Sequence, residues 1–406
     1  MLAYESVLTP PAVNNKQVVA GFANVMSDAG LNVLFSRQLG RYLSASSDLT
    51  YNKGYAVLDD EDGRLSIGYT FNYTEDYGEY IRNLTSIGVK SNIADGFSTL
   101  WKDAGLQPDI GLALKHSFIL GGKLKTGNQP RNAAAVADRN AYVGFLKTKA
   151  RTDMANWANA EDAAATAMPS KAGLQKVLDA RTKAKSKEKG KDLVEAEVDY
   201  VEEQKLYTVA TNSWITIEGY IPFSESEYIL ADSITMPGTT TKRMRPYEGR
   251  LSYSRYWQKP SGRALFLQLG GLGQLYNNVL DKSLAAVPFE EWRNRGGSDT
   301  LLVAQLSTED VRVGKYNEYV AMAVNARAAV LFPICETGNR MGFSVSFEKY
   351  FGGDYSPLNW RLGIPFSLLD KDGKPAVNFE LQWREQNKVH SVGLSIGLPI
   401  GKFVYE

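Results

Sequence analysis

The chain has 406 residues with 46 Lys and Arg against 45 Asp and Glu, a formal net charge of +1, which gives no electrostatic ground for a nucleic-acid partner. Hydrophobic residues make up 44% and mean hydropathy is −0.28; there is no apolar run of about 18 residues, so no transmembrane helix is expected. A single cysteine excludes an intrachain disulfide and two histidines exclude a His-rich metal site, so no metal or other cofactor is expected.

Residues 1–15 end in Thr9-Pro10-Pro11 and read as an extended N-terminal arm. Met1-Leu2-Ala3-Tyr4-Glu5 offers neither a basic nor an apolar signal region, so an exported form implies numbering that starts after a removed signal peptide. Barrel-type strands are expected over 16–125. Gln17 to Met26 and Leu31 to Gln38 suggest a first hairpin around Asp28-Ala29-Gly30. Leu43, Ala45, Ser47, Leu49 and Tyr51 then alternate with polar residues, and Leu65, Ile67, Tyr69, Phe71 and Tyr73 do the same after the Asp59–Gly63 turn. Tyr80 to Lys90 reads as a strand, Ile93 to Ala104 as a short helix, and Ile110 to Leu120 as a strand ending at Gly121-Gly122.

Composition changes between 126 and 205. Ala, Lys, Glu and Asp dominate, and two or three helices are expected at Asn132 to Thr166, Lys171 to Lys187 and Asp192 to Gln204. The Lys183–Lys191 tract is followed by Glu195, Glu197, Glu202 and Glu203, so it reads as a solvated helical hairpin and not as a nucleic-acid patch. Strands resume over 206–406. Leu265, Leu267 and Leu269 follow the Lys259-Pro260-Ser261-Gly262 turn, Val279 to Asp299 is a long loop, and Val320 to Val330 alternates strictly. Four ribbons close the chain, with Met341–Phe347, Leu358–Phe366, Val377–Trp383 and Val392–Ile400 as their apolar faces. The total is about fourteen to sixteen strands. Parity counted from both ends places the helical insertion, and also the 279–299 loop, on the side of the termini.

The clean alternations run about nine to twelve residues, the length that crosses a bilayer at a tilt, where soluble strands average about five to six. Their second face is Gly, Ser, Asn and Thr with isolated charges, which suits a confined lumen. Trp360, Trp383, Tyr350, Tyr73 and Phe403 fall near strand ends, where an interfacial girdle sits. On this patterning the chain resembles the bacterial outer-membrane β-barrel class, porin-like in size, over all but the helical insertion. Phe403 and Tyr405 stand near the position of that class's terminal aromatic, with Glu406 after them. The resemblance implies an all-β membrane protein, a closed antiparallel transmembrane barrel in the bacterial outer membrane, with lipid as its surroundings.

Catalysis is not expected. Gly393-Leu394-Ser395-Ile396-Gly397 matches a nucleophile elbow, but no histidine lies C-terminal to Ser395 and strand alternation accounts for the same residues. His116 and His390 are each followed two residues on by an apolar side chain and not by a serine, and Cys335 has no histidine near it in sequence. What remains is a lumen. Its pore-lining candidates are Asn325, Arg327, Glu348, Asn359, Arg361, Asn378, Glu380, Gln382 and Arg384, with the arginines set beside Glu380 and Glu348. Such charges equally pair across strands to fill and stiffen an interior. The expected function is a pore for passive or gated passage of small solutes. The alternative is a plugged barrel that binds outer-membrane or periplasmic proteins through residues 131–204, and a soluble β-rich protein is the remaining reading.

Overall fold

In the computed structural model the residues described are 7–10, 25–39, 53–59, 64–72, 78–92, 101–102, 105–106, 110–166, 174–232, 239–281, 283–288, 310–334, 338–351, 356–369, 375–386 and 389–400. Among the described residues three helices, α1 (Asp28–Leu39), α2 (Gln129–Thr166) and α3 (Leu174–Glu203), accompany nineteen strands. In chain order the strands are β1 (Gly54–Asp59), β2 (Arg64–Asn72), β3 (Asn83–Asn92), β4 (Trp101–Lys102), β5 (Gly105–Leu106), β6 (Gly111–Ile119), β7 (Lys123–Lys125), β8 (Val209–Pro222), β9 (Ser226–Ala231) and β10 (Thr240–Met244). They continue as β11 (Glu248–Gln258), β12 (Ala264–Asn277), β13 (Ala285–Pro288), β14 (Asp310–Val313), β15 (Glu318–Pro333), β16 (Arg340–Phe351), β17 (Leu358–Leu369), β18 (Pro375–Gln386) and β19 (Val389–Ile400).

Twelve of these strands, β1, β2, β3, β6, β8, β11, β12 and β15 to β19, close into one antiparallel barrel. Each pairs with its neighbours in chain order, and the ring shuts where β1 meets β19, Gly54 opposite Ile400. Closure removes the unpaired edge that a sheet in lipid could not tolerate. With strands about 4.8 Å apart and tilted about 40°, the backbone ring is roughly 24 Å across.

Alternation decides which side chains face out. All twelve strands carry an exposed large apolar residue: Leu58, Ile67, Ile87, Leu114, Ile217, Leu251, Leu269, Met322, Phe343, Leu362, Leu381 and Val392. An apolar belt that runs round the whole circumference is far larger than any patch a soluble monomer exposes, so the barrel is of the membrane-spanning type and the soluble reading fails. Trp360 and Trp383 lie on this outer face at the rim opposite the termini, edge to face at 5.2 Å, and Trp360 donates to Glu385 at 2.7 Å. Tyr350, expected in the girdle, instead turns inward and packs with Leu272, Ala321 and Ala323. Tyr73 and Phe403 lie outside the described residues.

The barrel has twelve strands where fourteen to sixteen were expected, and of the expected strand from Gln17 to Met26, residues 17–24 lie outside the described residues. Leu31 to Gln38 is not a hairpin strand; it belongs to α1. The Ser27 hydroxyl caps that helix by accepting from the Gly30 amide at 3.0 Å. The helix is buried on nearly every side, so its sequence shows no polar stripe and imitates a strand. The expected strand at 43–51 lies outside the described residues, and β2 instead pairs with β1, Gly54 opposite Tyr69. Of the helix expected over 93–104, residues 101–102 form β4, paired with β5, and the others lie outside the described residues.

β6 ends just before Gly121-Gly122, as expected, but its pairing with β8 does not stop there. The Leu120 amide still donates to the Ser213 carbonyl at 2.9 Å, and β7 resumes pairing with β8 beyond the two glycines, Lys125 opposite Val209. The pair is a bulge, and Gly121 has φ +127°. Residues 126–208 therefore hang from one hairpin position, between the fourth and fifth barrel strands. They emerge at the mouth shared with the ends of β1 and β19, as the parity count expected. The connection from β12 to β15 leaves from the opposite rim, which corrects the side assigned to Val279–Asp299. There β13 and β14 join β9 and β10, from the β8–β11 connection, in a separate sheet of order β10-β9-β14-β13.

Among the described residues the insertion is two helices, the lower of the numbers expected, with Lys171 to Lys187 and Asp192 to Gln204 merged largely into α3. Its apolar positions recur three and four residues apart, Val143, Leu146, Ala150 and Met154 on α2 and Val194, Val198 and Val201 on α3, with Leu193 buried beside them. Tyr142 stacks on Tyr200 at 3.9 Å, and Lys189 pairs with Asp153 at 2.6 Å. Lys183–Lys191 runs through the middle of α3 without a break.

Candidate functional site: the lumen and its helical plug

All nine candidates from the sequence sit on the inner face of the barrel. Asn325 and Arg327 project from β15, Glu348 from β16, Asn359 and Arg361 from β17, and Asn378, Glu380, Gln382 and Arg384 from β18, alternating with the exposed apolar residues. Their pairing differs from expectation. Glu380 takes Arg327 as its ion-pair partner, at 3.2 Å across two intervening strands, and also accepts from the Ser344 hydroxyl. Arg361 donates to Gln382 at 3.3 Å and Arg384 to Ser391 at 3.4 Å. Gly363 on β17 makes this possible. A Cβ there would collide with the Glu380 carboxylate and the Ser344 hydroxyl.

The facing half of the wall carries a second charged group. Lys115, Glu218 and Arg250 are register partners on β6, β8 and β11. Glu218 also binds Lys90, its contact to Lys115 is 3.9 Å, and Arg250 donates to Glu248 at 3.0 Å. Lys115 was not among the sequence candidates; alternation with the outward Leu114 and Phe118 is the signal that would put it inside, and nothing in the sequence ties it to Glu218 more than a hundred positions away. Ser395 is 1% exposed on the inner face of β19 between Glu380 of β18 and β1, in mid-strand.

The termini-side mouth is crossed by α1. At one side Asn32 donates to the Glu79 carbonyl at 2.8 Å and accepts from the Ile81 amide at 2.9 Å, pinning α1 to the turn between β2 and β3. Phe35, fully buried, occupies the space that a side chain at Gly122 would need. On the far side of the ring Arg340, at the start of β16, donates to Gln38 at 2.6 Å. Gln38 in turn donates to Glu202 of α3 at 2.9 Å. The twelve residues of α1 span about 18 Å, most of the way across such a ring. Beneath it, Trp214, Tyr256, Phe266 and Leu331 of the inner wall join the same apolar cluster as α1 and the root of the hairpin.

A buried polar latch ties α1 to the hairpin. Glu197 of α3, with no exposure, accepts the Ser27 amide at 3.1 Å and the Ser27 hydroxyl. Arg139 of α2 grips the same carboxylate, with its Nε at 2.8 Å, and donates to the Leu8 carbonyl at 2.6 Å. Arg37 pairs with Asp199 at 2.6 Å nearer the surface. At the N-terminus of α1, burial holds the Asp28 carboxyl above its usual 3.8, with Arg82 opposing and Glu79 adding to the effect.

Fold and site together define a plugged, membrane-spanning β-barrel with a charged interior. No protein-family model matches the sequence, and no characterised protein matches it by sequence. Among solved structures, the β domain of the Bordetella autotransporter BrkA aligns over 85% of this chain and 94% of that one, at 8% identity and a TM-score of 0.29. OmpT of Vibrio cholerae with its loop L8 deleted aligns over 85% and 97%, at 6% identity and a TM-score of 0.26. Likeness at that level carries no functional weight, and the barrel stands on its own strand ladder.

Proposed function

We propose that this chain is a bacterial outer-membrane barrel held closed at rest, which passes small solutes only when α1 leaves the mouth. The observation that carries the reading is how much of the inner wall is shut off from solvent: Asn325, Arg327, Glu348, Asn359, Arg361 and Arg384 are half-buried, while Thr216, Ser254, Ser344, Asn378, Glu380 and Ser395, drawn from around the ring, are all buried. An open aqueous pore would wet them. The nine candidates and the Lys115–Glu218–Arg250 group line the route. Lys90, Lys115, Arg250, Arg327, Arg361 and Arg384 outnumber Glu218, Glu248, Glu348 and Glu380 along it, which favours anions. No covalent step is assigned.

A second reading, docking of a periplasmic or outer-membrane partner, is favoured by the hairpin. Among the described residues its buried apolar positions on α2 end at Met154, twelve residues before the helix does, and about 18 Å of helix projects beyond. Phe145, nearer the root, is 61% exposed.

The test uses the register. Because Lys125 faces Val209 across a β pair, residues 126–208 can be replaced by a two-residue Asn-Gly turn that closes β7 directly onto β8. In planar bilayers the full chain is silent and the turn variant conducts. A full chain with a steady open conductance, or a folded turn variant that stays silent, contradicts the proposal.

A further inference from the structure

The outer wall holds one feature that neither a lumen nor a plug requires. On β11 the outward residues are Leu251, Tyr253, Arg255 and Trp257, and on β12 they are Leu265, Leu267 and Leu269. Arg255 is a cation set in a face that otherwise meets lipid. Among the described residues no carboxylate pairs with it; its guanidinium lies over the Trp257 ring, 4.8 Å from the centroid. Stacking occupies one face of the guanidinium and leaves its N–H edges free for a planar, two-point bond to an anion.

Beside it the wall is hollowed. Ala326 and Ala328 present only methyl groups outward, while Leu267, Leu269, Val345 and Phe347 stand on either side. The groove they frame with Arg255 has a volume of about 310 Å³ and an almost wholly apolar lining. Its depth is telling. Arg255 is three residues before the end of β11 at Gln258, which puts it roughly 8 Å inside the termini-side rim at about 3.3 Å per residue and a tilt near 40°. That is the level of headgroup phosphates and glycerol, with the acyl region directly beyond it.

We infer that Arg255, Trp257 and this groove form a binding site for one anionic glycerophospholipid, its phosphate on the guanidinium and one acyl chain over Ala326 and Ala328. The site requires that the barrel be embedded in lipid and is independent of whether the lumen conducts.

The test is lipid retention. The purified full chain, checked for heat-modifiable migration on gels, is equilibrated with nanodiscs of mixed phosphatidylglycerol and phosphatidylcholine, and native mass spectrometry counts the lipids it keeps. The wild type retains one phosphatidylglycerol in preference to phosphatidylcholine by about fivefold, the weight of one basic residue at an anionic lipid surface. Arg255→Gln abolishes that preference, Arg255→Lys keeps part of it, and Ala328→Phe, which fills the groove on the lipid face, loses the retained lipid of either kind. Millimolar inorganic phosphate does not displace the lipid. Equal retention of the two lipids by the wild type, an undiminished preference in folded Arg255→Gln, or displacement by inorganic phosphate overturns the site. An open conductance would sink the plug and leave these counts untouched.

Discussion

The latch at Glu197 gives a quantitative handle on the plug. Changing Glu197 to Gln keeps the shape but leaves the Arg139 guanidinium, whose side chain is 3% exposed, without its counter-charge. Breaking one half of a buried pair costs about 3–5 kcal/mol. The loss falls on the junction between α1 and the hairpin, because Ser27 gives both its amide and its hydroxyl to the same carboxylate. Hydrogen exchange of peptides covering 28–39 measures it locally. A drop of about 3 kcal/mol in the opening free energy speeds exchange about 100-fold, while amides of β15 and β16 stay protected. Ser27→Ala, which removes one charge-assisted bond, speeds exchange less, by about tenfold or more. Joint replacement of Arg139 and Glu197 by Met removes the stranded charge and exchanges more slowly than Glu197→Gln alone. If exchange over 28–39 changes by less than about threefold in folded Glu197→Gln, or if the double replacement is no better than the single one, the latch does not hold the plug.

Other outcomes follow from the same geometry. Gly363→Val drives a side chain into the Glu380 carboxylate and destabilises the barrel by about 1–3 kcal/mol, read as a lower temperature for loss of the compact gel band. Leu269→Arg, on the lipid face, costs about 2–4 kcal/mol in urea unfolding from vesicles; a neutral result argues against lipid contact there. Asp28 has a folded pKa above 3.8, so its contribution to α1 docking is complete below that value and fades as pH rises through the folded pKa; Asp28→Asn flattens this slope in hydrogen exchange. Once the 126–208 turn variant conducts, its reversal potential in a salt gradient is that of an anion-preferring pore, and cation preference refutes the charge count of the lumen.

How much of this was legible depended on environment. From Glu318 to Ile400 every strand faces lipid on one side and packed polar atoms on the other, so alternation is strict and the inward residues Arg327, Glu380 and Gln382 could be named from parity alone. The helical hairpin was legible from its Ala, Lys and Glu content. The plug was not. Leu31, Val33 and Phe35 alternate with Asn32, Leu34 and Ser36, and a helix enclosed on all sides needs no polar face, so the local pattern favoured a strand until tertiary burial decided otherwise. The small sheet of β9, β10, β13 and β14 has strands too short and too mixed to register. The ion pairs of the lumen depend on which strands neighbour in the ring and on the room left at Gly363, neither of which alternation encodes.

The central claim is that α1 lies across the termini-side mouth, and cross-linking it there tests this most directly. With the lone Cys335 replaced by Ser, cysteines are placed at Gln38 and Arg340, whose side chains touch across the mouth at 2.6 Å. Intact outer membranes are then treated with a short bis-maleimide. The plugged barrel predicts an internal bridge that forms in the membrane and shifts the folded band, with no bridge when the partner cysteine is moved to Met322, on the outer wall near the opposite rim. A folded chain whose cysteines at 38 and 340 stay unbridged would contradict the account.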